Sequence, residues 1–288
     1  MATPMAVPPV TGSIVTAAID FGTYSSGYAF AFRHEPLQIY TNTWYADGAT
    51  LSRTKAPTVV LFDADGNFHS FGFEAEEHYS ILMDDEEQEG WYYFENFKME
   101  LYKTENLSRE TQLTDNEGKQ MSAMKIFSES IIYMKQKLID DVRSSLTTLQ
   151  DDDILWIVTV PAIWSEPAKQ FMRESANQAG IDNCRLRLVL EPEAASVYCQ
   201  AHCTLKTIQA GGNVKLEPFP VNHTYIVADL GGGTADIATH LVLTGGNLRE
   251  LFRATGGPLG GTEVNKKFIL FLEEVFGNDI IKLFRTTY

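Results

Sequence analysis

Basic clusters, long apolar runs and matched cysteines are all scarce in this chain, and each scarcity removes a class of function. Asp and Glu number 38 against 23 Lys and Arg, for a formal net charge of -15. No stretch concentrates Lys or Arg, so nucleic acid and anionic membrane are not expected as partners. No window approaches the roughly 18 uninterrupted apolar residues of a membrane span. Residues 1–13 are rich in Pro, Ala and Thr, without the basic segment or apolar stretch of a signal peptide, and are expected to form a disordered tail. The expectation is a soluble, cytoplasmic protein. The 3 cysteines, Cys184, Cys199 and Cys203, cannot all pair, which suits a reducing compartment. Cys199, His202 and Cys203 fall on one expected helix, but no fourth ligand lies nearby in sequence, which disfavours zinc. Also missing are Gly-x-x-x-x-Gly-Lys-Ser/Thr and a Gly-x-Gly-x-x-Gly after a strand, so the common phosphate-binding loops lose support.

What is present is a core-forming composition, 44% hydrophobic and 11% aromatic over 288 residues, enough for one large or two medium domains. One stretch organises the rest. Tyr225 to Leu230 is a short apolar run ending in Asp229-Leu230, followed by Gly231-Gly232-Gly233, Thr234 and a second acid, Asp236. A buried strand bounded by glycines gives a turn whose successive amides form an anion cradle, with the Thr234 hydroxyl as a further donor. Bare phosphate would be repelled by Asp229 and Asp236, so the acids imply a hard hydrated cation such as Mg²⁺ between them. Taken alone, the stretch is equally consistent with a glycine-rich hairpin carrying solvated acids. Its echo near the other end, Ile14 to Ile19, Asp20, Phe21, Gly22, Thr23, favours the cradle. Two copies predict two related lobes, each bringing a strand-turn to one cleft.

With Leu190-Glu191-Pro192-Glu193-Ala194-Ala195 between the two turns, the chain resembles the actin, hexokinase and 70-kDa heat-shock ATPase superfamily. Asp20 to Ser26 followed by Gly27-Tyr28-Ala29-Phe30 is most similar to the divergent twelfth branch of the heat shock 70 kDa proteins. The resemblance runs from about Ile14 onward. It implies an α/β fold: an actin-like ATPase lobe of ribonuclease H type with a mixed sheet over 14–205, and an incomplete second lobe over 220–288. It also implies ATP and Mg²⁺ as cofactors. The phosphates would rest on Gly22, Thr23, Tyr24, Gly231, Gly232, Gly233 and Thr234. Asp20 and Asp229 would hold Mg²⁺ through water. Lys98, Glu191, Asp229, Thr234 and Asp236 would be the catalytic set. Without the resemblance, Lys98 reads as a lysine snorkelling among aromatics and Glu191 as a helix N-terminal acid favoured by the dipole. Three departures stand out: Tyr24 where the family has a phosphate-facing hydroxyl residue, Lys169 in place of Arg, and Gly257 in place of Asp.

In chain order, Tyr28 to Phe32 and Leu37 to Trp44 are expected to complete a meander with the first strand. Ala56 to Phe62 and Phe68 to Phe71 form a hairpin across Asp63 to Asn67. The acid-dense Glu74 to Glu89 reads as a solvated surface segment. Met124, Phe127, Ile131, Met134, Leu138 and Val142 mark one face of a helix over 122–146. Ile154 to Val160 is a buried strand; Ser165 caps and Pro167 opens a helix that Gly180 stops. A strand at Leu186 to Leu190 leads into a helix over 194–203, and a hairpin over 236–254 leads into a helix over 263–276 with a short tail after it.

The family's adenosine-gripping helix and second glycine-serine turn would lie beyond Tyr288, as would a peptide-binding domain. The expected function is therefore an ATP-binding, ATP-hydrolysing domain of 70-kDa heat-shock type lacking its adenosine site, with nucleotide and protein clients or co-chaperones as partners. The alternative is a non-hydrolysing module whose shape responds to nucleotide. A small-molecule kinase of the same superfamily is a third reading, for which no substrate-binding insert is recognisable.

Overall fold

A computed structural model of the chain describes residues 12–45, 52–202, 205–208, 214–217 and 219–287. Residues 1–11 of the expected tail and Cys203 lie outside the described residues. The chain divides into two units, one of 1–160 with 164–189 and one of 161–163 with 190–288.

In the first unit, Val15, Ala17 and Ile19 alternate into the core along β1 (Val15–Asp20), which turns back into β2 (Ser25–Phe32). The meander's third strand is shorter than expected: β3 (Tyr40–Thr41) pairs with β2, while β4 (Trp44–Tyr45) pairs with β5 (Ser52–Arg53). Next, β6 (Ala56–Pro57) lies against β2, and β7 (Val59–Phe62) and β8 (Phe68–Phe71) form the expected hairpin. Its turn is closed by Asp63 Oδ1, which accepts from the amides of Asp65 at 3.0 Å and Asn67 at 2.7 Å.

The acid-dense segment, expected as a solvated surface segment, is largely helical: α1 spans Phe73–Asp84, with its acids exposed. Ala75 and Leu82 are buried against Val59 and Leu61 with Tyr79 beside them. The apolar positions keep helical spacing while the acids between them point to water, so charge hid the periodicity. After it come β9 (Tyr92–Glu95), which pairs with β7, a 3₁₀ turn at Phe97–Met99, α2 (Glu100–Lys103), and the short pair β10 (Gln112–Thr114) and β11 (Gln120–Ser122).

The long helix α3 (Ala123–Ser145) buries the six residues expected of its stripe. Following it, β12 (Ile154–Val160) pairs parallel to β1. The Ser165 hydroxyl then accepts from the amide of Ala168 to start α4 (Glu166–Gln178), and Gly180, at φ 75°, takes the chain out of it. With β13 (Leu186–Leu190) the sheet order is β13-β12-β1-β2-β3. It is mixed, since β1 is parallel to β12 and antiparallel to β2.

In the second unit, α5 (Glu191–His202) is followed by the pair β14 (Leu205–Ile208) and β15 (Val214–Glu217). An antiparallel sheet is formed by β16 (Thr224–Leu230), β17 (Ala235–Val242) and β18 (Leu248–Gly257). The division falls before α5 rather than after 205, because Ser196 on this helix bonds Tyr225 Oη at 2.5 Å and His240 Nδ1 at 2.9 Å on the sheet. The last elements are α6 (Gly261–Phe276) and α7 (Asn278–Thr287). The expected tail is thus a helix. Gly277, at φ 89°, breaks the chain direction, and Ile280, Leu283 and Phe284 recur at helical spacing beyond it.

Phe127 is the centre of the first unit's aromatic core, with ring centroids 5.4 Å from Phe21, 5.2 Å from Phe97 and 5.8 Å from Phe171. Phe127→Ala is expected to lower unfolding free energy by about 3–5 kcal/mol through lost burial and a residual cavity. Urea denaturation measures this; a loss below about 1 kcal/mol would mean that the cluster does not hold the unit together.

Candidate functional site

In the first unit the site is built on the end of β1. The turn after Asp20 is tight: a Cβ on Gly22 would lie 2.2 Å from the Ser25 carbonyl oxygen, so no larger residue fits without reshaping it. Thr58 Oγ1 closes the turn by donating to the Gly22 carbonyl at 2.8 Å, and it shares a 2.7 Å hydrogen bond with Ser26 Oγ. Thr23 is buried, whereas Tyr24 is 61% exposed with its ring toward solvent.

Asp20 is surrounded by donors. Thr159 Oγ1 donates to its Oδ1 at 2.9 Å, and Lys55 Nζ makes a short ion pair with its Oδ2. Burial alone would raise the Asp20 pKa, but the Lys55 ammonium, the charge of Lys98 and the Thr159 hydroxyl outweigh it and hold the carboxyl below its ordinary value. Lys98, on the 3₁₀ turn, is 2% exposed, with Nζ 5.3 Å from the centre of the Trp164 ring. It is a buried cation, not a snorkelling one. Phe21 and Phe97, each next to one of the charged residues in sequence, pack edge to face at 5.9 Å and so bring the two turns together.

Neither Lys55 nor Thr159 was legible as a site residue. Thr159 carried a faint signal: it is the one hydroxyl within the apolar run 154–160, and the Ile19 to Val158 register carries Asp20 alongside it. For Lys55 the signal was Gly27, an isolated glycine in a strand. A Cβ there would meet the Thr54 carbonyl at 2.9 Å and Lys55 Cγ at 3.1 Å, so the glycine leaves room for the lysine stem. Lys169, noted as a departure from Arg, pairs with Glu166 at 3.0 Å on its own helix.

In the second unit the glycine turn after β16 interlocks with a second glycine turn before α6. The carbonyls of Gly231, Gly232 and Gly233 accept from the amides of Gly261 at 3.0 Å, Thr262 at 2.8 Å and Gly260 at 3.2 Å, and Thr262 Oγ1 adds a 2.9 Å bond to Gly232. A Cβ on Gly260 would lie 2.4 Å from the Gly232 oxygen, so the approach requires glycine. The first turns of helices carry unsatisfied amides, and here the glycine carbonyls satisfy those of α6. With its carbonyls spent in this way, the turn leaves the amides of Gly232, Gly233 and Thr234 without an acceptor among the described residues.

Asp229 and Asp236 stand directly opposite each other in the β16–β17 register. Like charges so placed repel, at Cβ separations of about 5 Å. Asp236 is 1% exposed; its Oδ1 accepts from the Ile163 amide at 3.1 Å, while Oδ2 is buried without a hydrogen-bond partner. Such an oxygen needs a proton, a water or a cation. Glu191 opens α5, where the helix dipole favours an acid. Gly257, in place of the family's Asp, is buried at the end of β18 and supplies no side chain.

These residues suit Mg²⁺ unequally. No group of three or more His, Cys, Asp or Glu converges among the described residues. The unpartnered Asp236 Oδ2 suits a positively charged partner or a water. At Asp20 the Lys55 ammonium already supplies positive charge, so Mg²⁺ has to compete with it there.

The model of the Hsp70 protein family matches residues 88–283. The chain belongs to the Hsp70 family. Within that family it is 36% identical over 94% of its length to heat shock 70 kDa protein 12A of Mus musculus and 35% identical to heat shock 70 kDa protein 12B of Homo sapiens. It covers 47% and 46% of those proteins, so it spans about half their length. A chaperone protein HscA homolog of Cupriavidus necator is 32% identical over 53% of the chain. Among solved structures, MreB5 of Spiroplasma citri, determined bound to ADP, matches 92% of this chain and 58% of its own with a TM-score of 0.50 at 10% identity. That likeness shows the fold, an actin-like ATPase architecture. The Hsp70 membership and the mixed α/β fold agree with the expectation from the two Asp-Gly turns.

The depressed Asp20 pKa has a consequence for acid stability. A carboxylate held below its unfolded value, near 3.9, stabilises the fold above that pH and loses the contribution as pH falls through its folded value. Asp20→Asn is therefore expected to shrink the drop in thermal midpoint between about pH 6 and about pH 3. An unchanged drop would mean that Lys55 and Lys98 do not act on this carboxyl.

Proposed function

We propose that this chain is an Hsp70-type nucleotide-binding domain that binds ATP with Mg²⁺ and hydrolyses it. The observation that carries the reading is the interlocked pair of glycine turns, which spends its carbonyls on α6 and leaves three successive amides open, with a buried, unpartnered carboxylate oxygen on Asp236 two residues further along the chain. Successive open amides suit phosphate, and a carboxylate beside them requires a cation. Membership of the Hsp70 family supports the assignment, as does an actin-like fold seen in a protein solved with ADP.

On this reading the phosphates rest on the amides of Gly22, Thr23, Gly231, Gly232 and Gly233, with the Thr234 hydroxyl as a further donor. Asp20 and Asp229 hold waters of the hydrated Mg²⁺, whose charge offsets that of the terminal phosphates. Lys98, Glu191 and Asp236 place the attacking water. The protein's contribution is positional and electrostatic rather than covalent. A buried lysine such as Lys98 acts without first having to shed water, which strengthens its field on the reacting centre. Protein clients and co-chaperones are proposed partners by the same family relation, and a cytoplasmic location remains part of the proposal.

A second reading, a nucleotide-responsive module that does not hydrolyse, is favoured by the Lys55–Asp20 ion pair and by Gly257. If Lys55 keeps Asp20 when nucleotide binds, the acid is unavailable to the metal's waters. The two readings separate in one set of assays. Mg²⁺-dependent phosphate release is expected from the chain. Asp229→Asn is expected to abolish Mg²⁺-dependent nucleotide binding while the thermal midpoint stays near that of the parent. Lys98 is fully buried, so Lys98→Met, which preserves volume, is the informative variant. It is expected to cut turnover on the order of 100-fold with little change in nucleotide affinity. Binding without release in the parent chain would establish the second reading. Absence of Mg²⁺-dependent binding would overturn both.

A further inference from the structure

Within the second unit, α5 starts at Glu191 and packs on the sheet face that carries Asp229 and Asp236. Along β17, Asp236, Ala238, His240 and Val242 alternate into that face and are buried. In register beside the first three stand Asp229, Val227 and Tyr225 of β16.

The helix has little apolar surface with which to hold its place. Among residues 191–201 the buried side chains are Pro192 and Ser196, four apart on one helical face, while Val197 and Tyr198 are exposed. What anchors it is polar. Ser196, wholly buried, bonds Tyr225 Oη at 2.5 Å and His240 Nδ1 at 2.9 Å. A hydroxyl has one hydrogen and two lone pairs, so it serves both partners at once. Those partners are themselves held: His240 is buried, its ring meets that of Tyr225 edge to face at 6.0 Å, and the Phe219 ring lies 4.7 Å from that of Tyr225. Apolar contacts let a helix slide and rotate, whereas hydrogen bonds are directional and fix both.

A second contact sets the direction in which α5 runs. Gln200 lies at the turn after β17, where a Cβ on Gly246 would stand 3.8 Å from Gln200 Nε2. From Ser196 at His240 the helix thus proceeds toward that turn, and its first turn points the other way, toward Asp236. Glu191 is about 7.5 Å back along the helix axis from Ser196. The acid pair is about 13 Å along the strands from Tyr225 and His240. Glu191 therefore lies on the acid side of the hydrogen-bonded node.

We propose that Ser196, His240 and Tyr225 are positioning residues for hydrolysis: their node fixes where α5 lies on the sheet, and so where Glu191 stands relative to Asp229 and Asp236. The inference rests on the proposed placing of the attacking water by Glu191 and Asp236. Ser196 is out of contact with solvent and meets no substrate, so it acts through Glu191 alone. A displacement on the order of 1 Å in a water-placing group costs up to about 100-fold in rate. Nucleotide affinity, set on the same reading by the glycine-turn amides, does not depend on the node.

The test is steady-state Mg²⁺-dependent ATP hydrolysis by the whole chain, with kcat and KM separated. Ser196→Ala and His240→Leu are each expected to lower kcat about tenfold while KM stays within about twofold of the parent. His240→Asn, whose amide can stand where Nδ1 does, is expected to restore most of the rate lost in His240→Leu. Tyr225→Phe keeps the ring and removes one bond; it is expected to lower kcat by less, and keeps the test decisive should Ser196→Ala fold poorly. Val242→Ala, on the same buried face, is the control, expected to lower the thermal midpoint without lowering kcat. Parent kcat in all the node variants, or an equal fall in Val242→Ala, would overturn the positioning role while leaving the hydrolytic reading intact. Absence of Mg²⁺-dependent turnover in the parent chain would overturn that reading, and the positioning role with it.

Discussion

The constraint on which the first unit's site depends is a buried positive charge. Lys98 sits almost wholly out of water, and a cation in that position persists only where negative charge and polar atoms compensate it. Asp20 lies within its field; the carboxyl's pKa is held down against burial chiefly by Lys55, with Lys98 adding to it. What brings the two together is apolar. Phe21 and Phe97 pack against one another and on Phe127, so the turn carrying the acid and the turn carrying the lysine rest on one aromatic cluster. Packing at Phe127 and electrostatics at Asp20 are consequently coupled through the same few residues.

The second unit solves a different problem, that of holding backbone polar groups open. A glycine turn in isolation is free to collapse on its own carbonyls. Here the carbonyls of Gly231, Gly232 and Gly233 are engaged by the start of α6, which satisfies that helix's first amides and leaves those of Gly232, Gly233 and Thr234 without an acceptor among the described residues. The absence of a side chain at Gly260 permits the approach. Beside it, Asp229 and Asp236 stand opposite each other across the β16–β17 pair. On the proposed reading the open amides take the phosphates and the acids the hydrated cation.

Much of this was legible in the sequence because it is local. The two strand-Asp-Gly stretches, the stripe of α3, the Ser165 cap and the glycine stop at Gly180 are each written within a few neighbouring residues. The unread parts are those set by register or distance. Thr159 meets Asp20 because β12 lies parallel to β1, and Lys55 meets it across a strand pair that leaves room at Gly27. In α1, exposed acids masked a narrow apolar face of Ala75, Tyr79 and Leu82, and in α7 a break at Gly277 resembled an ending. Whether α5 belonged to the first or the second half rested on Ser196 meeting Tyr225 and His240, partners 29 and 44 residues away.

The account turns on whether the open amides of the glycine turn take phosphate. The most direct measurement is an ¹H–¹⁵N NMR titration of the chain with Mg²⁺ and ATP, following the backbone resonances of Gly232, Gly233 and Thr234. All three are expected to shift downfield together with a single saturation curve and to gain protection from solvent exchange. Resonances that stay in place while ATP binds elsewhere, or that respond identically when Mg²⁺ is withheld, would contradict the account.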